Sequence, residues 1–130
     1  RREQLRDDVF AMRARMRKEL DDSDDEGFNL KHGAGGVGDI EFLVQYLVLA
    51  NAASHPAVVE FTDNVRQLNA LAECGALPLP TAAKLQEVYR RYRERQHRLA
   101  LNDEGGRVPA TDFRTERAFV EECWQQVFAP

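Results

Sequence analysis

The chain has 130 residues, with 22 acids against 18 lysines and arginines for a net charge of −4, which argues against a broad electrostatic footprint on nucleic acid but leaves room for local basic faces. With 43% apolar and 31% charged residues, it has the balance of a soluble protein with one hydrophobic core and one domain. Two cysteines, Cys74 and Cys123, stand far apart without CxxC spacing, so neither a disulfide framework nor a zinc site follows, and both are expected to be small buried hydrophobes.

The first segment places Leu5, Val9, Met12, Met16 and Leu20 at steps of three and four, which predicts an amphipathic helix of about five turns. DDSDDEG should stop it, because acids crowd the negative end of the helix dipole and Gly27 supplies a flexible exit. Phe28, Asn29 and Leu30 are expected to make a short extended piece before a glycine-dense turn. A second helix is predicted over 39–53, apolar on nearly every side apart from Glu41, Gln45 and Asn51, as suits the central rod of a bundle. The apolar run 40–50 within it falls short of the roughly 20 residues that a bilayer span requires. No charged-then-apolar leader opens the chain, so a cytoplasmic protein is expected, with no membrane contact. The start at Arg1, without a methionine, suggests a piece of something longer.

His55-Pro56 should end the second helix. Asp63 is a good N-cap for a third that uses Val65, Leu68, Leu71 and Ala72 and closes at Gly75. Thr81 is expected to cap a long fourth helix with Leu85, Val88, Tyr89, Tyr92 and Leu99 inward and Arg90, Arg91, Arg93, Arg95 and Arg98 on the remaining surface. After a turn at 103–106 and Pro109, a last helix uses Phe119, Val120, Cys123, Trp124 and Val127. With no strand-period stretch of useful length, the expected fold is all-α: a bundle of about five helices, one domain over 1–130.

Several signals bear on chemistry. Residues 33–38, GAGGVG, satisfy GxGxxG literally, but the preceding hydrophobic strand and βαβ unit that a dinucleotide site needs are missing. Two readings stay open for the glycines: a tight left-handed loop that lets backbone enter a buried helix, or a cradle of amides for an anionic ligand. Asp39 and Glu41 would cap and complement the positive helix end, or, with Lys31 or a metal ion intervening, face a phosphate. Glu41 and Gln45 share one helical face that must meet water, a ligand or a polar partner. DDSDDEG is no calcium loop, since Asp22 at position one puts Gly33 where a bidentate glutamate belongs. His32, His55 and His97 have no ligand spacing. The arginines of the fourth helix read as a solvated face with Glu87–Arg91 and Glu94–Arg98 pairing, or as a docking surface at Arg90, Arg91 and Arg95 for an acidic partner.

GGVGDIEFLVQYLVL, together with MRARMRKEL, TDNVRQLNALAECG, LQEVYRRYRERQHRLAL and a terminal helix with Trp124, resembles the bacterial glutamine synthetase adenylyltransferases, specifically the C-terminal helical domain of the adenylylating half. The resemblance implies an enzyme that transfers AMP from ATP to a tyrosine hydroxyl of glutamine synthetase, releasing pyrophosphate, with Mg²⁺ and ATP as cofactors of the full-length protein. It implies partners in glutamine synthetase, the PII signalling protein and the chain's own upstream nucleotidyltransferase domain. The family's GSxxDxD element, whose acids hold the metals, does not occur here. No catalytic residue is therefore expected in these 130 residues, and alone they should transfer nothing. Lys31, Gly35, Gly36, Asp39 and Glu41 are expected near the nucleotide or its metal, with Asp39→Ala lowering transfer and leaving helix content unchanged. The alternatives are a non-catalytic helical interaction module and the helical domain of the related PII uridylyltransferase.

Overall fold

The computed structural model describes residues 2–129. Five α-helices carry the fold: α1 (Arg2–Leu20), α2 (Val37–Asn51), α3 (Asn64–Glu73), α4 (Leu79–Leu101) and α5 (Arg114–Phe128). A 3-10 turn, Pro56–Val59, joins α2 to α3, and two short strands, β1 (Gly27–Asn29) and β2 (Arg107–Pro109), complete the order. The expected all-α bundle is what forms. Its hub is α2, where Ile40, Leu43, Val44, Tyr46, Leu47 and Val48 are all buried and where α1, α3, α4 and α5 all pack. Among the described residues no helix is long and apolar enough to cross a membrane.

The strands pair antiparallel, with Phe28 opposite Val108, and both side chains enter the core. Three-residue strands far apart in sequence carry no periodic signal, so the pattern shows at most an extended piece near Phe28. The acidic loop is mostly solvated, yet it is ordered by Asp24, whose Oδ1 accepts the Glu26 and Gly27 amides at 3.0 and 2.9 Å and the Arg107 guanidinium at 2.5 Å. Those amides, foremost, hold the Asp24 carboxyl below its ordinary pKa.

Several expected boundaries move. Helix α2 starts at Val37 with extended Gly36 as its N-cap, which makes Asp39 the third helical residue rather than the cap. Helix α4 starts at Leu79, with Pro80 in its first turn where the missing N–H costs nothing, so Thr81 is not its cap. Asp63 does cap α3, accepting the Arg66 amide at 2.9 Å. Cys123 is buried but Cys74 only partly so. On α5, Val120, Cys123, Trp124 and Phe128 are buried, and the Trp124, Phe128 and Tyr46 rings stack with centroids 4.2 and 5.1 Å apart.

Helix α1 departs furthest from its predicted stripe. Met12 and Leu20 are about half exposed, while Arg13 is the helix's one fully buried residue. Leu5 and Val9 do pack on the core. Continuing at steps of four from Leu5 and Val9 leads to Arg13 and Arg17, so the inward face changes from apolar to cationic along its length.

Candidate functional site

The glycine corner is wound tightly by its own backbone. Gly33 N–H donates to Asn29 O at 2.8 Å, Gly36 N–H to Gly33 O at 3.0 Å, Val37 N–H to Leu30 O at 2.9 Å and Gly38 N–H to Lys31 O at 2.8 Å. The Asn29 side-chain oxygen takes the Lys31 and His32 amides at 3.1 and 2.8 Å. The corner's glycines leave no room for a side chain, and two of them show why. Gly35 has φ +80°, and a Cβ there would stand 2.5 Å from the Arg117 carbonyl oxygen; at Gly38 it would meet Arg13 Nη2 and Lys31 O, each at 2.7 Å.

Asp39 sits at the centre of this corner, 1% exposed. Its Oδ1 accepts from Arg13 Nε at 2.7 Å and from Arg17 Nη2, and its Oδ2 accepts the Gly35 amide at 2.8 Å. The Gly35 carbonyl in turn accepts the Tyr92 hydroxyl at 2.7 Å, and burial raises the Tyr92 pKa well above its ordinary value. Arg13 continues to His32, donating through Nη2 to the backbone oxygen at 3.1 Å and through Nη1 to Nδ1 at 3.4 Å. A guanidinium only donates, so Nδ1 must be the accepting nitrogen of a neutral ring. Burial first, then the charges of Arg13 and Lys31, lower the His32 pKa accordingly. One carboxylate thus joins α1, the corner and α2, and through Gly35 also α4.

This geometry corrects the picture of free amides looking outward. The Gly35 and Gly36 amides are bonded inside the loop, to Asp39 and to Gly33, and both residues are buried. They have nothing left to offer a phosphate. Of the open readings, the tight left-handed loop is the one the geometry adopts. Asp39 likewise faces two arginines and an amide, not solvent. A cleft of about 160 Å³ lies beside it, walled by Phe10, Arg17, Glu121 and Trp124.

Lys31 and Glu41 are the corner's outward charges. Lys31 Nζ is 3.5 Å from Glu41 Oε1, with the two side chains 47% and 30% exposed. Glu41 Oε2 accepts the Tyr89 hydroxyl at 3.3 Å, and that hydroxyl accepts Asn64 Nδ2 at 3.1 Å. Burial is the largest cause of a raised Tyr89 pKa, which keeps its proton on the oxygen facing Glu41. Glu41 and Gln45 also line a groove of about 500 Å³ between α2, the 3-10 turn and the start of α3. The polar face predicted on α2 therefore meets both a network and an opening.

The donor set does not fit Mg²⁺. Among the described residues no group of three or more His, Cys, Asp or Glu side chains could hold a metal ion, Asp39 is filled by arginines, and Glu41 faces an amine and a phenol.

Of the arginines expected to dock a partner, Arg91 pairs with Glu87 at 3.3 Å and with Glu116 of α5 at 3.1 Å. Arg95 pairs with Asp112 at 2.8 Å and lies over the Phe113 ring at 4.8 Å. These two fasten α4 to α5 and the turn before it. Arg90 is exposed. Glu94 and Arg98 do not pair, unlike Glu87 and Arg91. Sequence reasoning missed Arg13, Arg17 and Tyr92 as parts of the site; the step-of-four continuation onto Arg13 and Arg17 was the available signal.

A helical bundle built on a buried central rod and entered through a glycine corner defines a helical module. The chain belongs to the family described as GlnD PII-uridylyltransferase, whose model matches residues 4–106. It is similar to the bifunctional glutamine synthetase adenylyltransferase/adenylyl-removing enzymes. Identity is 46% to that of Nitrosococcus oceani, covering 92% of this chain and 12% of the relative. It is 43% to that of Pseudomonas aeruginosa, covering 95% and 14%, and 41% to that of Mannheimia haemolytica, covering 97% and 13%. The chain thus spans only 12–14% of the length of these relatives.

Proposed function

We propose that these 130 residues are the C-terminal helical domain of the adenylylating half of a cytoplasmic enzyme that transfers AMP from ATP to a tyrosine hydroxyl of glutamine synthetase. The observation that carries this reading is identity above 40% over more than nine-tenths of the chain to enzymes named for that activity. Its GGVGDIEF corner supports the same reading. Mg²⁺ and ATP then belong to an upstream nucleotidyltransferase domain, because the corner's two acids, Asp39 and Glu41, already have arginine, lysine and tyrosine partners.

In that setting the corner faces the catalytic domain. Lys31 and Glu41 are its accessible charges near the nucleotide, and Gly35, Gly36 and Asp39 are positioning residues that fix where those charges stand. Arg90, with Arg91 and Arg95 behind it, belongs to the face offered to glutamine synthetase or to the PII signalling protein.

The test uses the intact polypeptide that contains this chain, incubated with glutamine synthetase, Mg²⁺ and ATP labelled in its α-phosphate. Label should appear on a tyrosine of glutamine synthetase, Glu41→Ala should reduce the rate at least tenfold, and residues 1–130 alone should transfer none. Transfer of UMP to PII with none of AMP to glutamine synthetase would replace this reading with the uridylyltransferase one, which the description of the matching family model favours.

A further inference from the structure

The groove along the exposed edge of α2 has a selective lining. Its walls carry Leu49 and Val59, 51% and 54% exposed, large apolar side chains presented to solvent on either side. Phe61 lines it as well. Gln67 gives its Nε2 to the Phe61 carbonyl at 3.0 Å, and Gln45 is exposed. Glu41 is the one ionised side chain of the lining, and its Lys31 partner stands at 3.5 Å with both groups partly in water, an ion pair of little strength. Apolar walls, side-chain amides and one part-exposed carboxylate favour a cation carried on an apolar backbone over an anion.

We infer that this groove seats a segment of the same polypeptide lying outside these 130 residues. That segment places an arginine or lysine against Glu41 and an apolar side chain between Leu49 and Val59. The inference rests on the reading that the chain is one domain of a longer protein. Its two supports are this charge complementarity and the 86–88% of the relatives' length that lies beyond the matched region, obtained as 100% less the 12–14% covered. Burial of half-exposed Leu49 and Val59 would drive the contact, and the incoming cation would offset the cost of desolvating Glu41.

The experiment places a photo-crosslinking amino acid at Gln45, at Leu49 and, as a control, at exposed Glu122 of α5 in the intact polypeptide. Irradiation is followed by mass-spectrometric mapping. Gln45 and Leu49 should crosslink in good yield to one segment outside 1–130 that contains a basic residue. Glu122 should not, and Glu41→Lys should lower the Gln45 yield at least fivefold while the circular dichroism of the intact polypeptide stays native. Crosslinks confined to 1–130, to a second copy or to a separate protein would overturn the inference, as would a yield indifferent to Glu41→Lys. The readout needs no catalysis. AMP transfer with failed crosslinks sinks the groove alone, and crosslinks without AMP transfer sink only the assigned activity.

Discussion

Asp39→Ala is the most informative perturbation of this fold. The substitution leaves Arg13, which is 0% exposed, without its carboxylate, and removing one partner of a buried ion pair costs about 3–5 kcal/mol. Arg13 keeps its bonds to the His32 oxygen and Nδ1, which favours the lower end of that range. The Gly35 amide, however, loses its acceptor, and an unsatisfied buried donor adds about 1–3 kcal/mol. Because the two losses share one group they are not additive, and a net loss of about 4 kcal/mol is expected. For a domain of this size that lowers the thermal midpoint by roughly 12–20 °C. The assay is paired thermal and urea denaturation of wild type, Asp39→Ala and Arg17→Ala, followed by circular dichroism. Arg17→Ala should cost much less, since Arg13 still holds Asp39. Helix content at 25 °C should remain near native, because the total stability of a domain this long exceeds the loss. An Asp39→Ala protein within about 1 kcal/mol of wild type would refute the assignment of Asp39 as the pin of the corner.

Gly35→Ala should destabilise by more than about 2 kcal/mol in urea titration, combining the cost of a left-handed Cβ with its clash against Arg117 O. Tyr92→Phe should lose about 1–2 kcal/mol through the orphaned Gly35 carbonyl, with no change in fold by near-ultraviolet dichroism. The folded His32 pKa lies below 6.5. The unfolded chain therefore binds the proton first, so stability from this group is complete above 6.5 and falls as pH drops through the folded value. His32→Gln should flatten that part of the stability profile. At pH 8 iodoacetamide should label partly exposed Cys74 and spare Cys123, whose thiol burial pushes up to about 11, until denaturant is added.

The sequence exposes those parts of the fold that are periodic. Helix α2 shows itself through an almost unbroken apolar surface, α3 through its Asp63 cap, and α5 through the Val120, Cys123 and Trp124 spacing. What stays hidden depends on long-range pairing. β1 and β2 are too short to show alternation, and each exists because the other satisfies its backbone. Arg13 and Arg17 look like solvent-facing charges until the Asp39 carboxylate from another helix arrives to neutralise them. The same holds at the corner, where composition announces a turn with spare amides but cannot show that Asp39 folds back onto the Gly35 N–H. Glu41 and Gln45 are the reverse case, since a lone polar face on an apolar rod is a local signal and the structure gives it both a network and a groove.

The seating of α1 has a consequence for how disturbances spread. Most helices hold their place through many small apolar contacts that can slacken one at a time, but this one adds to its apolar contacts at Leu5 and Val9 a charged anchor shared by two of its own arginines. An anchor of that kind behaves as a latch. Whatever alters the surroundings of that one carboxylate is felt at once along the first helix and at the outward-facing lysine and glutamate beside the corner.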